Sequence, residues 1–303
     1  MKPTQPHKAF RHQHSFREWR ESFCFVLPLL AFVLAFVLIP VFGTLADSLF
    51  MDVAFVKKRF IGFENYRWLL QDPGFWQSFR FTLLFVFVSV PLEMVLGLLF
   101  ALLLNEPSPV RGLLRACVLL PWAIPAAISA RVWELVYNYG YGLANTLWLN
   151  LSFSTEPVNW LGSAAGAFFA LVLADTWKTT PFVAIILLAG LSAIPGDLYR
   201  QAMVDGAGLG RRFVRITLPL LRPTLIVALI FRTIDALRIF DMAYVLTHGG
   251  PGGSTMTLSL YGYKYFLLSD FGYGSAVSVV LFLMALLLSL AYTRLGRFGE
   301  ELR

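Results

Sequence analysis

Charge is scarce in this sequence. Only 14% of its 303 residues are Asp, Glu, Lys or Arg, while 57% are hydrophobic and the mean hydropathy is +0.67. A soluble domain carries about 25% charge. Too few polar side chains are present to cover a water-soluble enzyme, and too many apolar ones for a disordered chain. Cysteine is almost absent. Cys24 and Cys117 lie in separate apolar runs, without C-x-x-C or a Cys/His cluster. That excludes a zinc site and a disulfide framework, and both read as small hydrophobes. Of four histidines, His7, His12 and His14 fall in the N-terminal tail and His248 in a loop. No H-E-x-x-H or G-x-S-x-G occurs. The only Lys followed by Ser or Thr is Lys178, and Trp177 precedes it, so no phosphate loop for ATP exists. The glycines at 206–210 have neither the spacing nor the preceding strand of a dinucleotide fingerprint, and 249–253 reads as a flexible turn.

What is abundant is long apolar runs. Six, at 23–46, 78–104, 113–136, 165–191, 223–246 and 272–293, reach the roughly 20 residues that a spanning helix needs. The 28 Phe, 11 Tyr and 8 Trp suit a lipid-facing surface with aromatic belts. The first run exceeds the 7–15-residue core of a secretory signal and reads as a retained anchor. The expected fold is an all-α integral membrane protein of six transmembrane helices. Tails at 1–22 and 295–303 flank a membrane domain at 23–294.

Formal net charge is +7, and placement explains it. With the N-terminus inside, fifteen of the 25 Lys and Arg fall in inside segments, from Lys2 and Arg20 through Arg111 and Arg200–Arg222 to Arg294 and Arg303. Lys57, Lys58, Arg59, Arg67 and Lys264 fall outside. The excess predicts cytoplasmic termini. The charge is a topology signal, and no nucleic-acid recognition module accompanies it.

Ionisable residues inside spans are costly and point to function. They are Glu93, Arg131, Glu134, Asp175, Lys178, Arg232, Asp235, Arg238 and Asp241. Arg131/Glu134, Asp175/Lys178, Arg232/Asp235 and Arg238/Asp241 are i,i+3 pairs within reach of one another. Two readings stand: mutual neutralisation that fixes packing, or a wet path lined by Asp175, Trp177, Lys178, Arg232, Asp235, Arg238 and Asp241. Pro181 adds an expected kink beside them.

The stretch 195–222 is too long for a simple connection. Its pattern predicts helix, break, helix. Asp197 is read as an N-cap, Asp205-Gly206 as the break, and a basic helix from about Gly208 to Leu218, with Pro219 and Pro223 setting the start of span five. Such a pair of helices either docks a partner or rests on anionic lipid.

Gly206, nine residues (207–215) and then Ile216-Thr217-Leu218-Pro219 resemble the cytoplasmic signature loop of permease subunits of binding-protein-dependent ABC importers. Asp205-Gly206-Ala207 and Phe213 fit the wider pattern, and Gly208 belongs to the same loop. Arg200-Gln201-Ala202 stands where the family has Glu-Ala-Ala, so a contact made by the family's Glu is in doubt here. Asp175–Phe182, Asp235–Asp241 and Gly249-Gly250-Pro251 with Ser254-Thr255 are similar to the carbohydrate branch, and the sequence is most similar to permeases for maltose- and trehalose-type disaccharides. The resemblance covers roughly 60–295.

It implies a non-enzymatic permease subunit in a bacterial or archaeal inner membrane, working by alternating access. The implied partners are a second, usually non-identical permease chain, two ATPase subunits that hold ATP and magnesium, an extracytoplasmic sugar-binding protein and membrane lipid. No metal or cofactor is expected on this chain. The alternatives are an importer permease for another small solute such as glycerol phosphate, or an ion-driven secondary transporter, which predicts inverted repeats and broken spans.

Overall fold

The structure is a computed structural model that describes residues 16–153 and 155–297. Most of the tail expected over 1–22, with Lys2, Lys8, Arg11 and three histidines, lies outside the described residues, as does the C-terminal end with Arg303. The chain divides into two compact units after Ala46. The first is one helical run, α1 (Phe16–Val33), a π turn at Leu34–Leu38, and α2 (Ile39–Asp47). Its side chains from Phe23 to Phe42 are apolar and largely exposed, as suits a helix solvated by lipid.

The second unit opens with a two-stranded antiparallel ribbon, β1 (Phe50–Met51) and β2 (Arg59–Phe60), then α3 (Glu64–Gln71). α4 (Pro73–Asn105) follows, with α5 (Arg111–Ala123), α6 (Ala126–Val136), α7 (Leu143–Asn150) and α8 (Ala164–Ser192). After them come α9 (Gly196–Val204), α10 (Leu209–Arg212), α11 (Leu218–Leu237), α12 (Leu258–Leu267) and α13 (Phe271–Arg297). Among the described residues, five helices are long and apolar enough to cross a membrane, or six if α5 and α6 count as one bent span.

Local chemistry sets the boundaries. α4 starts at Pro73, where the missing N–H costs nothing, and the Asp72 carboxylate accepts from Gly74 N–H at 2.8 Å. It stops at Glu106, held extended by the following Pro107. Ser163 caps α8 and Thr257 caps α12 in the same way. At 33 residues, α4 is roughly 50 Å long and overreaches the hydrocarbon core.

Two expected spans are corrected. The run 113–136 is not one straight helix. Ile124 is driven extended by Pro125, and α5 and α6 meet at 94°. The run 223–246 is displaced: one helical run extends from Leu209 to Leu237, through a π turn at Phe213–Thr217, and ends before Arg238. Pro219 and Pro223 do not interrupt this helical run. Pro219 sits in the first turn of α11, where proline is tolerated, and Pro223 lies within it.

The core is built where α4, α8 and α11 meet. A Cβ on Gly97 would lie 2.5 Å from Val183 Cγ1, and one on Gly190 would lie 2.5 Å from Thr224 Oγ1. Small residues therefore set the helix spacing, as membrane packing requires. Phe81, Phe85, Leu171, Ala174 and Leu237 fill one buried cluster, and Ala101, Val183, Leu187, Leu221 and Ala228 another.

A third cluster joins α4, α12 and α13 around Asp72, which accepts hydrogen bonds from Tyr261, from Tyr273 at 3.0 Å and from Tyr265 at 3.3 Å. Burial would push the Asp72 carboxyl up, but the hydroxyls and the Gly74 N–H together hold it below its ordinary value. Burial, then the Asp72 contact, pushes the Tyr261 hydroxyl up. A depressed carboxyl contributes stability that is complete above its ordinary pKa of about 4. That contribution is lost as pH falls through the depressed value.

Candidate translocation site and docking loop

The largest fully buried side chain is Arg232, 1% exposed in the C-terminal half of α11. Its guanidinium donates to Glu93 of α4 through Nε and, at 3.0 Å, through Nη2. It also donates to Asp175 of α8 through Nη2, and to Asp235 at 3.0 Å through Nη1. Glu93 is 0% and Asp175 6% exposed. One buried cation thus joins three helices through two buried carboxylates. The planar fork of Arg suits this arrangement, and a Lys would not reproduce it.

Asp235 points the other way as well. Its side chain is half exposed and faces a cavity of about 460 Å³ beside the α5–α6 break. Trp122, Lys178, Arg238, Phe240 and Asp241 line the same cavity, and Asp175 reaches it from the buried network. A neighbouring hollow of about 260 Å³ shares Trp122, Asp235 and Arg238 and adds Phe182 and Phe231. Trp122 and Phe182 stack at 5.9 Å and 20°.

The broken span explains where Lys178 goes. Its ammonium donates to the Ile124 carbonyl at 2.5 Å and to that of Trp122 at 3.4 Å. These carbonyls are left over at the end of α5, where a cation also complements the helix dipole.

The expected pairs therefore resolve unevenly. Arg232/Asp235 form, as do Arg131/Glu134 at 2.6 Å on an exposed face. Lys178 is not paired with Asp175, and Arg238 contacts Asp235 at 3.5 Å instead of Asp241. Two residues expected on the path do not line either cavity. Arg232 is enclosed, and Trp177 packs edge-on against Trp133 at 5.8 Å. Trp122 and Phe240 were missed, since nothing in an apolar run marks which ring borders a break.

The stretch between α8 and α11 has the expected helix–break–helix form, with corrections. α9 begins at Gly196 after Pro195 and has no side-chain cap. Asp197 lies in its first turn and pairs with Arg200, both exposed. Asp205 ends α9, and Gly206 turns the chain at φ +73°. Ala207 N–H closes the turn on the Ala202 carbonyl at 2.8 Å. Beyond Gly208, Ile216 sits in the π turn and Leu218-Pro219 opens α11, so the second helix continues into the membrane run. Around the turn, Val204 is 88% and Leu209 80% exposed. Gln201 and Arg200 lie on the exposed side of α9.

This is a helical membrane unit with a polar cavity at mid-bundle and an apolar turn projecting from one end, the anatomy of a transport permease. Residues 93–298 match the family model described as binding-protein-dependent transport system inner membrane component. The chain belongs to that family, a family of multi-pass transport permeases and not of enzymes. It is 54% identical over 287 residues to the trehalose/maltose transport system permease protein of Thermococcus litoralis, covering 94% of this chain and 97% of that one. It is 41% identical over 225 residues to the trehalose transport system permease protein of Mycobacterium tuberculosis, covering 74% and 70%. The fold is also similar to a chain in the crystal structure of a bacterial ABC transporter that imports the acidic polysaccharide alginate. The TM-score there is 0.80 at 25% identity, covering 93% of this chain and 96% of that one.

Proposed function

We propose that this chain moves a neutral disaccharide of the trehalose or maltose kind across the inner membrane of a bacterium or archaeon. The observation that carries the reading is the cavity. It is polar, bordered by rings, and opens where a span is broken. Lys178 and Arg238 share its lining with Asp175, Asp235 and Asp241, so no excess of positive charge favours a phosphate ester such as glycerol phosphate. Carboxylate, ammonium and guanidinium groups offer acceptors and donors to sugar hydroxyls, and Trp122 and Phe240 offer apolar faces.

The chain carries no phosphate-loop motif for ATP, and energy enters through partners. ATP with magnesium belongs to two ATPase subunits, a second permease chain completes the path, and an extracytoplasmic binding protein delivers sugar. The turn at Gly206 is the docking contact for an ATPase, because it exposes Val204 and Leu209 and leaves open space beside Gly206. Both termini are cytoplasmic, so 47–77, 137–164 and 247–271 face outward. The broken span is the one feature an ion-driven secondary transporter shares, but such a transporter has no use for the exposed turn.

The test is copurification of this chain with a tagged ATPase after coexpression with the second permease. Recovery of the ATPase with the chain is the expected result, with Asn150→Cys labelled in intact cells. Sugar uptake by the chain alone on an ion gradient would overturn the reading, and labelling that needs permeabilisation would overturn the orientation.

A further inference from the structure

Beyond α11 the chain carries aromatic rings at every fourth position: Phe240, Tyr244 and His248. Tyr244 N–H donates to the Phe240 carbonyl at 2.8 Å, and a π turn at Ala243–Thr247 runs on to His248, where φ is +50°. This helical stretch puts the three rings on one side. Phe240 and Tyr244 are parallel within 9°, with centroids 5.5 Å apart. Tyr263 of α12 meets both nearly at right angles, at 5.0 and 6.0 Å. The His248 ring meets Tyr244 at 6.0 Å and 89°. The segment is pinned, because the Ile239 carbonyl accepts from Thr257 at 3.1 Å and from Ser259.

Three observations bear on what these rings can bind. Their lower end is the cavity itself, since Phe240 lines it. They are accessible, with Tyr244 42% and Tyr263 37% exposed. Their polar tips have no hydrogen-bond partner among the described residues, whereas the hydroxyls of Tyr261, Tyr265 and Tyr273 are all used on Asp72. A pinned, accessible aromatic surface with free hydroxyls is what a pyranoside recognises. The C–H face of the sugar lies on a ring, and the rim hydroxyls take the polar tips.

We propose that Phe240, Tyr244, Tyr263 and His248 form a stacking track that hands a sugar between the loop after His248 and the charged cavity. The track is a second sugar contact, distinct from Lys178, Asp235 and Arg238. It rests on the sugar-permease reading above. A sugar leaving its binding protein would lie first against Tyr244 and Tyr263, then against Phe240, and its hydroxyls would meet Asp235 and Arg238 only after that.

The test uses the complete complex in proteoliposomes with its binding protein, and radiolabelled trehalose and maltose as probes. Tyr244→Ala is expected to lower uptake about tenfold, the worth of one good stacking contact. Tyr263→Ala should act in the same direction, and Tyr244→Trp should stay within about twofold of wild type. Complex recovery and ATPase stimulation by the loaded binding protein should not change. Uptake within about twofold in both alanine variants overturns the track and leaves the rings as a lipid-facing belt. ATPase stimulation that falls together with uptake overturns it in favour of a binding-protein contact. A loss of recovery in Tyr244→Ala that Tyr244→Trp shares overturns it in favour of packing. Wild type that moves neither sugar overturns the track together with the reading beneath it. Silent tyrosine variants beside an impaired Asp235→Asn overturn the track alone.

Discussion

Arg232→Met is expected to reduce recovery of the folded chain to a small fraction of wild type. Among the described residues, the guanidinium is the one cation hydrogen-bonded to two buried carboxylates, Glu93 and Asp175. Its loss leaves two buried carboxylates without the cation they share. Removing one partner of a buried ion pair costs about 3–5 kcal/mol, and the cost here concerns like charges inside a membrane core. The penalty is electrostatic, so neutralising the carboxylates should relieve it. Arg232→Met combined with Glu93→Gln and Asp175→Asn should recover much of the yield, because the methionine fills space and the amides carry no charge. Arg232→Lys should rescue less, since a point charge cannot make the forked contacts to α4 and α8. Yield and thermal midpoint in detergent measure this. A methionine variant with wild-type yield and midpoint would show that the network holds nothing together.

Gly206→Val is expected to insert normally yet lose its ATPase. Gly206 sits at φ +73°, and a Cβ there would meet nothing within 4 Å in this chain. The substitution therefore creates no internal clash. Its local cost is the backbone term, of order 1–2 kcal/mol for a residue held in the left-handed region. That term reshapes a surface turn and does not reach the packed helices. What it disturbs is the projecting edge formed by Val204, Gly206 and Leu209. Recovery of a tagged ATPase with the Val variant should fall tenfold or more, about 1.4 kcal/mol of binding, and stimulation by loaded binding protein should collapse with it. Gly206→Ala should be milder. Undiminished ATPase recovery with normal stimulation would rule out this turn as the coupling contact.

The spans were legible because the bilayer sets a length that few soluble helices meet. The run at 165–191 and α8 differ by one residue at each end. What was not legible follows from polar groups whose partners lie far away. Glu93 and Arg232 are 139 positions apart, and spacing rules reach only one helical turn. Those rules paired Lys178 with Asp175, but the break at Ile124-Pro125 leaves better acceptors within reach of the ammonium. The break itself was hidden because apolar character continues through it, although Pro125 was its visible cause. The end of α11 was hidden in the same way. Arg238 and Asp241 were counted inside a span, whereas they lie just past its last turn, where charge is cheap and a cavity can form. The turn at Gly206 was legible because a glycine after a capping Asp is a local signal.

The account stands most directly on one measurement, ATP-driven uptake of labelled trehalose and maltose by the reconstituted complex carrying Asp235→Asn or Lys178→Gln. Both side chains border the cavity; Lys178 lies outside the Arg232 network, and Asp235 is its half-exposed partner. The account predicts uptake reduced tenfold or more, about 1.4 kcal/mol per variant, with complex yield and stimulated ATPase activity close to wild type. Unchanged uptake in both variants, or a fall in yield that tracks the fall in uptake, would contradict it.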